Sequence, residues 1–168
     1  MRNAVFFITT FLVLVVDQSV KVWIRTYPEG VIISKAGFFR IIHIYNTGAA
    51  FGIFPDQKLP LIIVASICIV CLLIFIFLYS HKLPVLNNKM GMLALGLIFG
   101  GIAGNLIDRV RLGHVTDFID VSFWPTFNIA DSSLTIGVIM LIIILLLKAH
   151  FNDFYNDFEF SSKNSRFW

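Results

Sequence analysis

Two aspartates, Asp117 and Asp131, have the residue type and the position that best suit chemistry in this sequence. Asp131 stands directly before a run, Ser132 to Leu147, that carries no charge, where a carboxylate is energetically expensive. Two carboxylates that share a site cannot both ionise easily, so one of them holds a proton near neutral pH. Such a pair offers a base that activates water and an acid that protonates a leaving amine. The pair therefore predicts peptide hydrolysis that needs neither a metal nor a nucleophilic serine or cysteine.

Asp131 has a second interpretation. Asp131, Ser132 and Ser133 together are typical of a helix N-terminus, where short oxygen-bearing side chains cap free N–H groups. The cap pattern alone leaves both interpretations open. If Asp131 does lie at a helix N-terminus, the helix dipole favours its charged form, so we expect Asp117 to carry the shared proton.

Most of the chain is too apolar for a soluble protein. Hydrophobic residues make up 58% of its 168 residues and charged residues only 14%, which is more apolar surface than a soluble domain of this size can bury. Four stretches are long enough to cross the bilayer, at about residues 4–24, 59–79, 90–107 and 132–147. The sequence therefore predicts an all-α membrane protein with four transmembrane helices.

Two segments between the spans have the composition of strands. In F-F-R-I-I-H-I-Y, residues 38–45, aromatic and β-branched residues dominate, and a turn follows at N-T-G. Residues 114–124 have the same composition and stop before Pro125. We expect a small β-sheet on the membrane surface, formed chiefly by a β-rich segment at residues 25–58.

Four spans place both termini and the short turn 80–89 on one side of the membrane, and segments 25–58 and 108–131 on the other. The charge bias that normally sets orientation is absent, because six lysines and arginines lie on the terminal side and seven on the other. The residues alone therefore leave the orientation open. We expect residues 1–150 to form one membrane domain, followed by a polar, mobile tail at residues 151–168.

The first span contains an acid and a base, Asp17 and Lys21, four residues apart. This spacing places them on one helix face with the acid nearer the N-terminus, the favourable order for an ion pair. Charges within spans usually pair. We interpret the pair as a structural tie between helices, in preference to a catalytic role.

The third span carries a glycine at every fourth position from Gly96 to Gly104, a smooth ridge that allows another helix to approach closely. One further step reaches Asp108, which can form a surface pair with Arg109. Asn105 and Arg109 lie one place further round the helix. An amide and a fork-shaped donor are suited to holding an extended peptide or a lipid headgroup, so we expect these two residues to bind substrate.

Two other classes of membrane protein deserve comparison with a peptidase. A small transporter or proton-relay subunit also uses intramembrane acids and glycine-rich helices, but here the acids collect at one membrane face and no internal repeat is visible. A thiol oxidoreductase is suggested by Cys68 and Cys71, but cysteines in an apolar span usually act as small hydrophobic residues. The scattered positive charges give no footprint for nucleic acid.

The chain resembles the bacterial lipoprotein signal peptidases, signal peptidase II, in five sequence blocks that follow one another from the first span to the start of the fourth. Each block alone is weak, but their order, spacing and position in the predicted topology are specific. The Phe-rich tail has no counterpart in them. The blocks are D-Q-S-V-K (17–21), N-T-G-A-A-F (46–51), G-G-I-A-G-N-L-I-D-R (100–109), G-H-V-T-D-F-I (113–119) and F-N-I-A-D (127–131).

The resemblance implies an integral aspartic endopeptidase that removes the signal peptide from prolipoproteins on the N-terminal side of a diacylglyceryl-modified cysteine. It places the catalytic pair at Asp117 and Asp131. Asp17 and Lys21 match a block that we interpret as supporting, and we place Asp108 with them. The positions that match the family's site-lining residues are Asn46, Gly101, Asn105, Arg109, Asn128 and Ala130.

Gly48, in the N-T-G turn, is inferred to approach the bound peptide closely. His43 and His114 are near the site in sequence, and we expect them to be surface or strand residues rather than catalysts.

The resemblance also implies a bacterial cytoplasmic (inner) membrane protein, with both termini and the turn 80–89 in the cytoplasm and an extracytoplasmic sheet on the outer surface. Its expected partners are lipid-modified prolipoproteins, membrane lipid and inhibitors of the globomycin type. It implies no metal, cofactor, nucleic acid or obligate protein partner.

Overall fold

The structure of the protein, a computed structural model, describes residues 2–48, 57–79, 82–83 and 88–164, with side chains as far as His150. Two predicted features fall partly outside the described residues: the last three residues of the block 46–51 and most of the turn 80–89.

The described elements are four helices and three strands, and all four helices are long and apolar enough to cross a membrane. A π-helical turn, Phe75–Tyr79, continues the second helix. This architecture confirms the predicted fold class. In chain order the elements are α1 (Arg2–Ile24), β1 (Ile32–Ala36), β2 (Phe39–Asn46), α2 (Lys58–Ile74), α3 (Lys89–Leu112), β3 (Val115–Asp120) and α4 (Ile129–Asn164).

Two helices are longer than the spans predicted from their apolar runs. The third continues beyond residue 107, because charged side chains do not break a helix, and it ends at Gly113 in a left-handed conformation with φ 87°. The fourth begins at Ile129 and continues to Asn164. The backbone of residues 151–164, in the predicted tail, therefore continues α4. The chain from Lys148 to Asn164 contains no proline or glycine that would end the helix.

One face of α3 packs closely against α1 through the predicted glycine ridge. A methyl group added at Gly100 would lie 2.8 Å from the Cβ of Val13, and one added at Gly104 would lie 2.9 Å from a carboxylate oxygen of Asp17. Such contacts are shorter than real side chains allow. The two backbones can therefore approach this closely only because the ridge carries no side chains.

A second face of α3 packs against the start of α4. A methyl group at Gly101 would collide with the carbonyl oxygen of Ala130, and one at Gly137 would lie 2.8 Å from the carbonyl oxygen of Ala94. Glycines of both helices therefore make this contact. The central helix, α3, is held between α1 and α4.

Among the described residues, the second helix, α2, reaches the buried core only through the π-helical turn that continues it. Near its C-terminus Ile76 joins Phe6, Met92 and Leu95 in a buried cluster. No residue of α2 between Lys58 and Ile74 is buried. The N-terminal half of α2 therefore borders a space beside α3 and α4.

The sheet is antiparallel, with strand order β1-β2-β3. The expected small sheet is thus confirmed, and its third strand comes from the strand-like segment 114–124, although it ends at Asp120. Strand β3 begins three residues after α3 ends. Asp117, which pairs with Ile44 in the register, is consequently fixed just beyond the end of a spanning helix.

Candidate active site

Asp117 lies in the middle of β3 and is almost completely buried. Each of its carboxylate oxygens accepts a hydrogen bond from an amide side chain. Asn46 Nδ2 donates to Oδ2 at 2.8 Å, and Asn128 Nδ2 donates to Oδ1 at 2.7 Å. The sheet and the loop before α4 therefore hold this carboxylate in one orientation.

Asp131 lies in the first turn of α4, but it is not the residue that begins the helix. Asn128 caps α4: its side-chain oxygen accepts from the N–H of Asp131 at 2.9 Å, and the Asp131 carboxylate accepts from the N–H of Asn128 at 3.1 Å. These reciprocal bonds form a capping box. The capping interpretation of Asp131 was therefore partly right, since its carboxylate does satisfy a free N–H group at this helix end.

Both carboxylates line one cavity of about 470 Å³ between α2, α3, α4 and β3. Asn128 connects them from behind, because its side chain donates to Asp117 and its backbone N–H donates to Asp131. Asn105 donates to the other oxygen of Asp131 at 2.7 Å. The cavity wall opposite the carboxylates is apolar and includes Leu61, Val64, Ala65 and Cys68 of α2.

Burial and, to a smaller extent, the nearby charge of Asp131 raise the pKa of Asp117 from 3.8 to about 7. The hydrogen bonds from Asn46 and Asn128 and the charge of Lys21 act in the opposite direction without cancelling the rise. Asp117 is thus the carboxyl group that can hold a proton at neutral pH.

A fully buried lysine, Lys21, lies behind the two carboxylates. Its ammonium group contacts Asp17 Oδ2 at 2.9 Å and Asp108 Oδ2 at 3.2 Å, and it donates to Asn105 Oδ1 at 2.9 Å. All three of its donors are therefore used. The contact with Asp17 agrees with the spacing of four in the sequence. Through Asn105, this charged cluster reaches Asp131.

The two acids of the charged cluster each hold the backbone beside one cavity carboxylate. Asp108 accepts from the N–H of Thr116, the residue before Asp117, at 3.2 Å. Asp17 accepts from the N–H of Ala130, the residue before Asp131, at 2.9 Å. The cluster of Asp17, Lys21 and Asp108 therefore fixes the position of both strand and helix.

Sequence reasoning missed two further members of this cluster. Gln18 donates to Asp108 and to the carbonyl oxygen of Gly104 at 3.1 and 3.2 Å, and Arg25 donates to Thr116 at 3.1 Å. The only sequence signal was position: Gln18 directly follows Asp17 in α1, and Arg25 lies four residues after Lys21, just beyond the end of α1.

Arg109 lines the cavity from the last turn of α3. Its NH2 group donates to the carbonyl oxygen of Gly48 at 3.0 Å, so it ties the N-T-G turn to the helix. Its Nε atom is buried and, among the described residues, has no hydrogen-bond partner.

Several predicted site residues do not line the cavity. Asn128 and Ala130 are completely buried, and Gly101 packs against the Ala130 carbonyl, so these three shape the site from behind. His43 is a strand residue bonded to the Tyr27 carbonyl at 2.7 Å, and His114 precedes β3.

Cys68 and Cys71 are exposed on the surface of the fold, because α2 contributes little to the core, and Cys68 lines the cavity.

Most of the chain is similar to known proteins. Residues 9–147 match the family described as signal peptidase (SPase) II. A lipoprotein signal peptidase of Dehalococcoides mccartyi is 47% identical over 150 residues, which cover 89% of this chain and 93% of the relative. One from Halothermothrix orenii is 38% identical and covers 83% of this chain and 93% of the relative.

A solved structure described as a bacterial membrane enzyme, determined by the in meso method at 2.3 Å resolution, is also similar. It is 37% identical, has a TM-score of 0.77, and covers 88% of this chain and 90% of that chain. With its four apolar helices, the present chain is a multi-pass membrane protein.

Proposed function

Because this chain belongs to the signal peptidase II family, we propose that it is an aspartic endopeptidase that removes the signal peptide from lipid-modified prolipoproteins. It cuts on the N-terminal side of the diacylglyceryl-modified cysteine, and Asp117 and Asp131 activate the attacking water. The observation that carries this proposal is that the two carboxylates line one cavity and share Asn128 as a hydrogen-bond donor.

The resting state has one proton on the pair. Asp117 holds it, in accordance with its pKa of about 7. Asp131 is ionised, because it lies in the first turn of α4, where the helix dipole favours a negative charge. Asp131 takes a proton from water as the water oxygen attacks the scissile carbonyl carbon, and Asp117 gives its proton to the carbonyl oxygen.

When the carbon–nitrogen bond breaks, Asp131 passes its proton to the amine of the lipid-modified cysteine. Asp117 recovers a proton from the hydroxyl group of the tetrahedral intermediate. Both carboxyl groups then return to their starting states, and one water molecule has been divided between the two products.

The cavity suits a substrate that is itself anchored in the bilayer. Its polar wall holds the two carboxylates at the ends of spanning helices, and its apolar wall on α2 faces them. Arg109, which lines the cavity, can donate to a carbonyl oxygen of an extended peptide, whose backbone polar groups need partners at this depth. This arrangement supports peptide binding, with Asn46 and Asn105 orienting the carboxylates.

Cleavage of a purified, diacylglyceryl-modified precursor by the purified protein tests the proposal. We expect Asp117→Asn and Asp131→Asn each to reduce the rate by at least about 10²-fold, because each removes a proton-transfer group. Wild-type activity should fall as pH rises through about 7, where Asp117 loses the shared proton.

Asp120→Asn is the matched control, since Asp120 lies in the same strand but pairs with Arg40. It should retain a rate within about threefold of wild type, as expected for a group outside the proton-transfer step. Unchanged cleavage by either cavity variant would refute the proposed mechanism.

A further inference from the structure

Exposed aromatic rings cluster at one edge of the surface sheet. Phe38 and Phe39 lie at the turn between β1 and β2, and Phe123 and Trp124 lie in the loop after β3. Phe123 is 80% exposed, Phe38 66% and Trp124 53%, and the rings of Phe38 and Phe123 are 6.5 Å apart. These four residues form one surface, the aromatic patch, outside the spanning helices.

The loop that presents the patch is held in an unfavourable conformation. Ser122 has φ 65°, which is costly for a residue other than glycine, and the N–H of Phe123 bonds to the carbonyl of Val121 at 2.8 Å across it. Two hydrogen bonds fix this turn: Ser122 N–H to Asp120 at 2.7 Å, and Ser122 Oγ to the Phe38 carbonyl at 3.0 Å. The fold thus joins the two turns that carry the rings.

The patch is continuous with the membrane-facing part of the molecule. Trp124 lines the active-site cavity together with Cys68 of α2. Cys68 is ten residues from the start of α2, which corresponds to about 15 Å along the helix. One wall of the cavity that Trp124 borders therefore extends into the depth of the bilayer.

The charges near the patch do not oppose contact with lipid. The loop from Val121 to Asn128 contains no charged residue. At its start, Asp120 is paired with Arg40. Tryptophan is enriched where a bilayer meets water, and contiguous exposed apolar side chains such as Phe38 and Phe123 mark interaction sites on protein surfaces.

We propose that the aromatic patch inserts into the interfacial layer of the membrane leaflet at the active-site face. It anchors the sheet and keeps the mouth of the cavity at the depth of the lipid headgroups. Its partner is the bilayer itself, so insertion takes place without substrate.

Depth-dependent quenching of Trp124 by brominated phospholipids tests this proposal. The chain has three tryptophans, so Trp23→Phe and Trp168→Phe leave Trp124 as the only one. Reconstituted in phosphatidylcholine vesicles, Trp124 should be quenched most strongly by bromines near the headgroup end of the acyl chain. Adding Phe38→Ser or Phe123→Ser should reduce this quenching at least twofold and shift the emission to longer wavelength.

Phe11→Ser is the matched control, because it removes a ring of similar exposure, 64%, from the face of α1. It should leave the quenching of Trp124 unchanged, and circular dichroism should show equal helix content in all variants. Strong quenching of Trp124 by aqueous iodide with none by brominated lipid would overturn the proposal. So would quenching that arises only on addition of a precursor with brominated acyl chains, which would assign the patch to substrate binding.

Discussion

Asp117 is the residue at which the proposed catalysis and the stability of the fold conflict most directly. In the unfolded chain it titrates near 3.8, and in the fold its pKa is about 7, so the folded state binds more protons between these values. The free energy of unfolding therefore falls as pH rises across this window. This loss in the free energy of unfolding is absent below about pH 4 and reaches at most about 4 kcal/mol above pH 7.

Asp117→Asn should remove this pH dependence. The variant loses one hydrogen bond at every pH, because its amide nitrogen cannot accept from Asn46 or Asn128. Relative to wild type, however, its free energy of unfolding should rise from pH 4 to pH 8 by up to about 4 kcal/mol. Denaturant unfolding in detergent measures the difference. The pKa of Asp120 is lowered by the Ser122 N–H and by Arg40, so Asp120→Asn should show no such trend. A constant difference for Asp117→Asn would contradict the raised pKa.

Lys21 is the only buried cation in contact with both Asp17 and Asp108 among the described residues. Lys21→Met keeps most of the side-chain volume but leaves the carboxylates of Asp17 and Asp108 without their ammonium partner. This change should lower the free energy of unfolding by about 3–5 kcal/mol. Adding Asp17→Asn should cost less in this background than in wild type, because the carboxylate is already unpaired. A double-mutant cycle by denaturant unfolding measures the coupling. Strictly additive losses would mean that the three groups do not act as one cluster.

At the scale of the elements, the sequence predicted the features that leave a periodic pattern. It did not predict the features that depend on individual hydrogen bonds. The apolar runs and the glycine interval identified the four spans and the face that α3 presents to α1, because burial in lipid and close packing both leave a periodic pattern. The start of α4 was misplaced because Asp131 and Asn128 are both good capping residues. The bonds from Asp17 to Ala130 and from Asp108 to Thr116 join separate elements, and no local pattern indicates them.

The contact between α3 and α4 gives a sharp test of how these helices position the site. Gly101→Ala places a methyl group against the backbone carbonyl of Ala130, which cannot move aside as a flexible side chain would, so the first turn of α4 must shift. We expect the free energy of unfolding to fall by about 1–3 kcal/mol. The value of kcat should fall by a larger factor than KM changes, because Asp131 moves with that turn. Gly37→Asn, in open space with φ 61°, should be nearly neutral. A wild-type kcat for Gly101→Ala would show that the contact between Gly101 and Ala130 does not determine the position of Asp131.

At the scale of the whole molecule, the site depends on elements that meet at one membrane face. The sheet supplies Asp117 and Asn46, the end of α3 supplies Asn105 and Arg109, and the start of α4 supplies Asp131. One span, α2 with its π-helical turn, lies between β2 and residue 82, and one span, α3, lies between residue 82 and β3, so the sheet and residue 82 are on opposite sides of the membrane whichever way the protein is inserted. Charge counting could not decide the direction, because the two sides carry nearly equal numbers of lysines and arginines.

Labelling with a membrane-impermeant maleimide resolves the direction. In a background with Cys68→Ala and Cys71→Ala, Ser34→Cys and Lys82→Cys each introduce one exposed thiol, in β1 and before α3. If the active-site face is extracytoplasmic, the Ser34→Cys protein should be labelled on cells whose cytoplasmic membrane is intact. The Lys82→Cys protein should be labelled only after that membrane is broken. The reverse pattern would overturn the orientation. Equal labelling of both on intact cells would overturn the four-span topology, because the single crossing by α2 must separate the two positions.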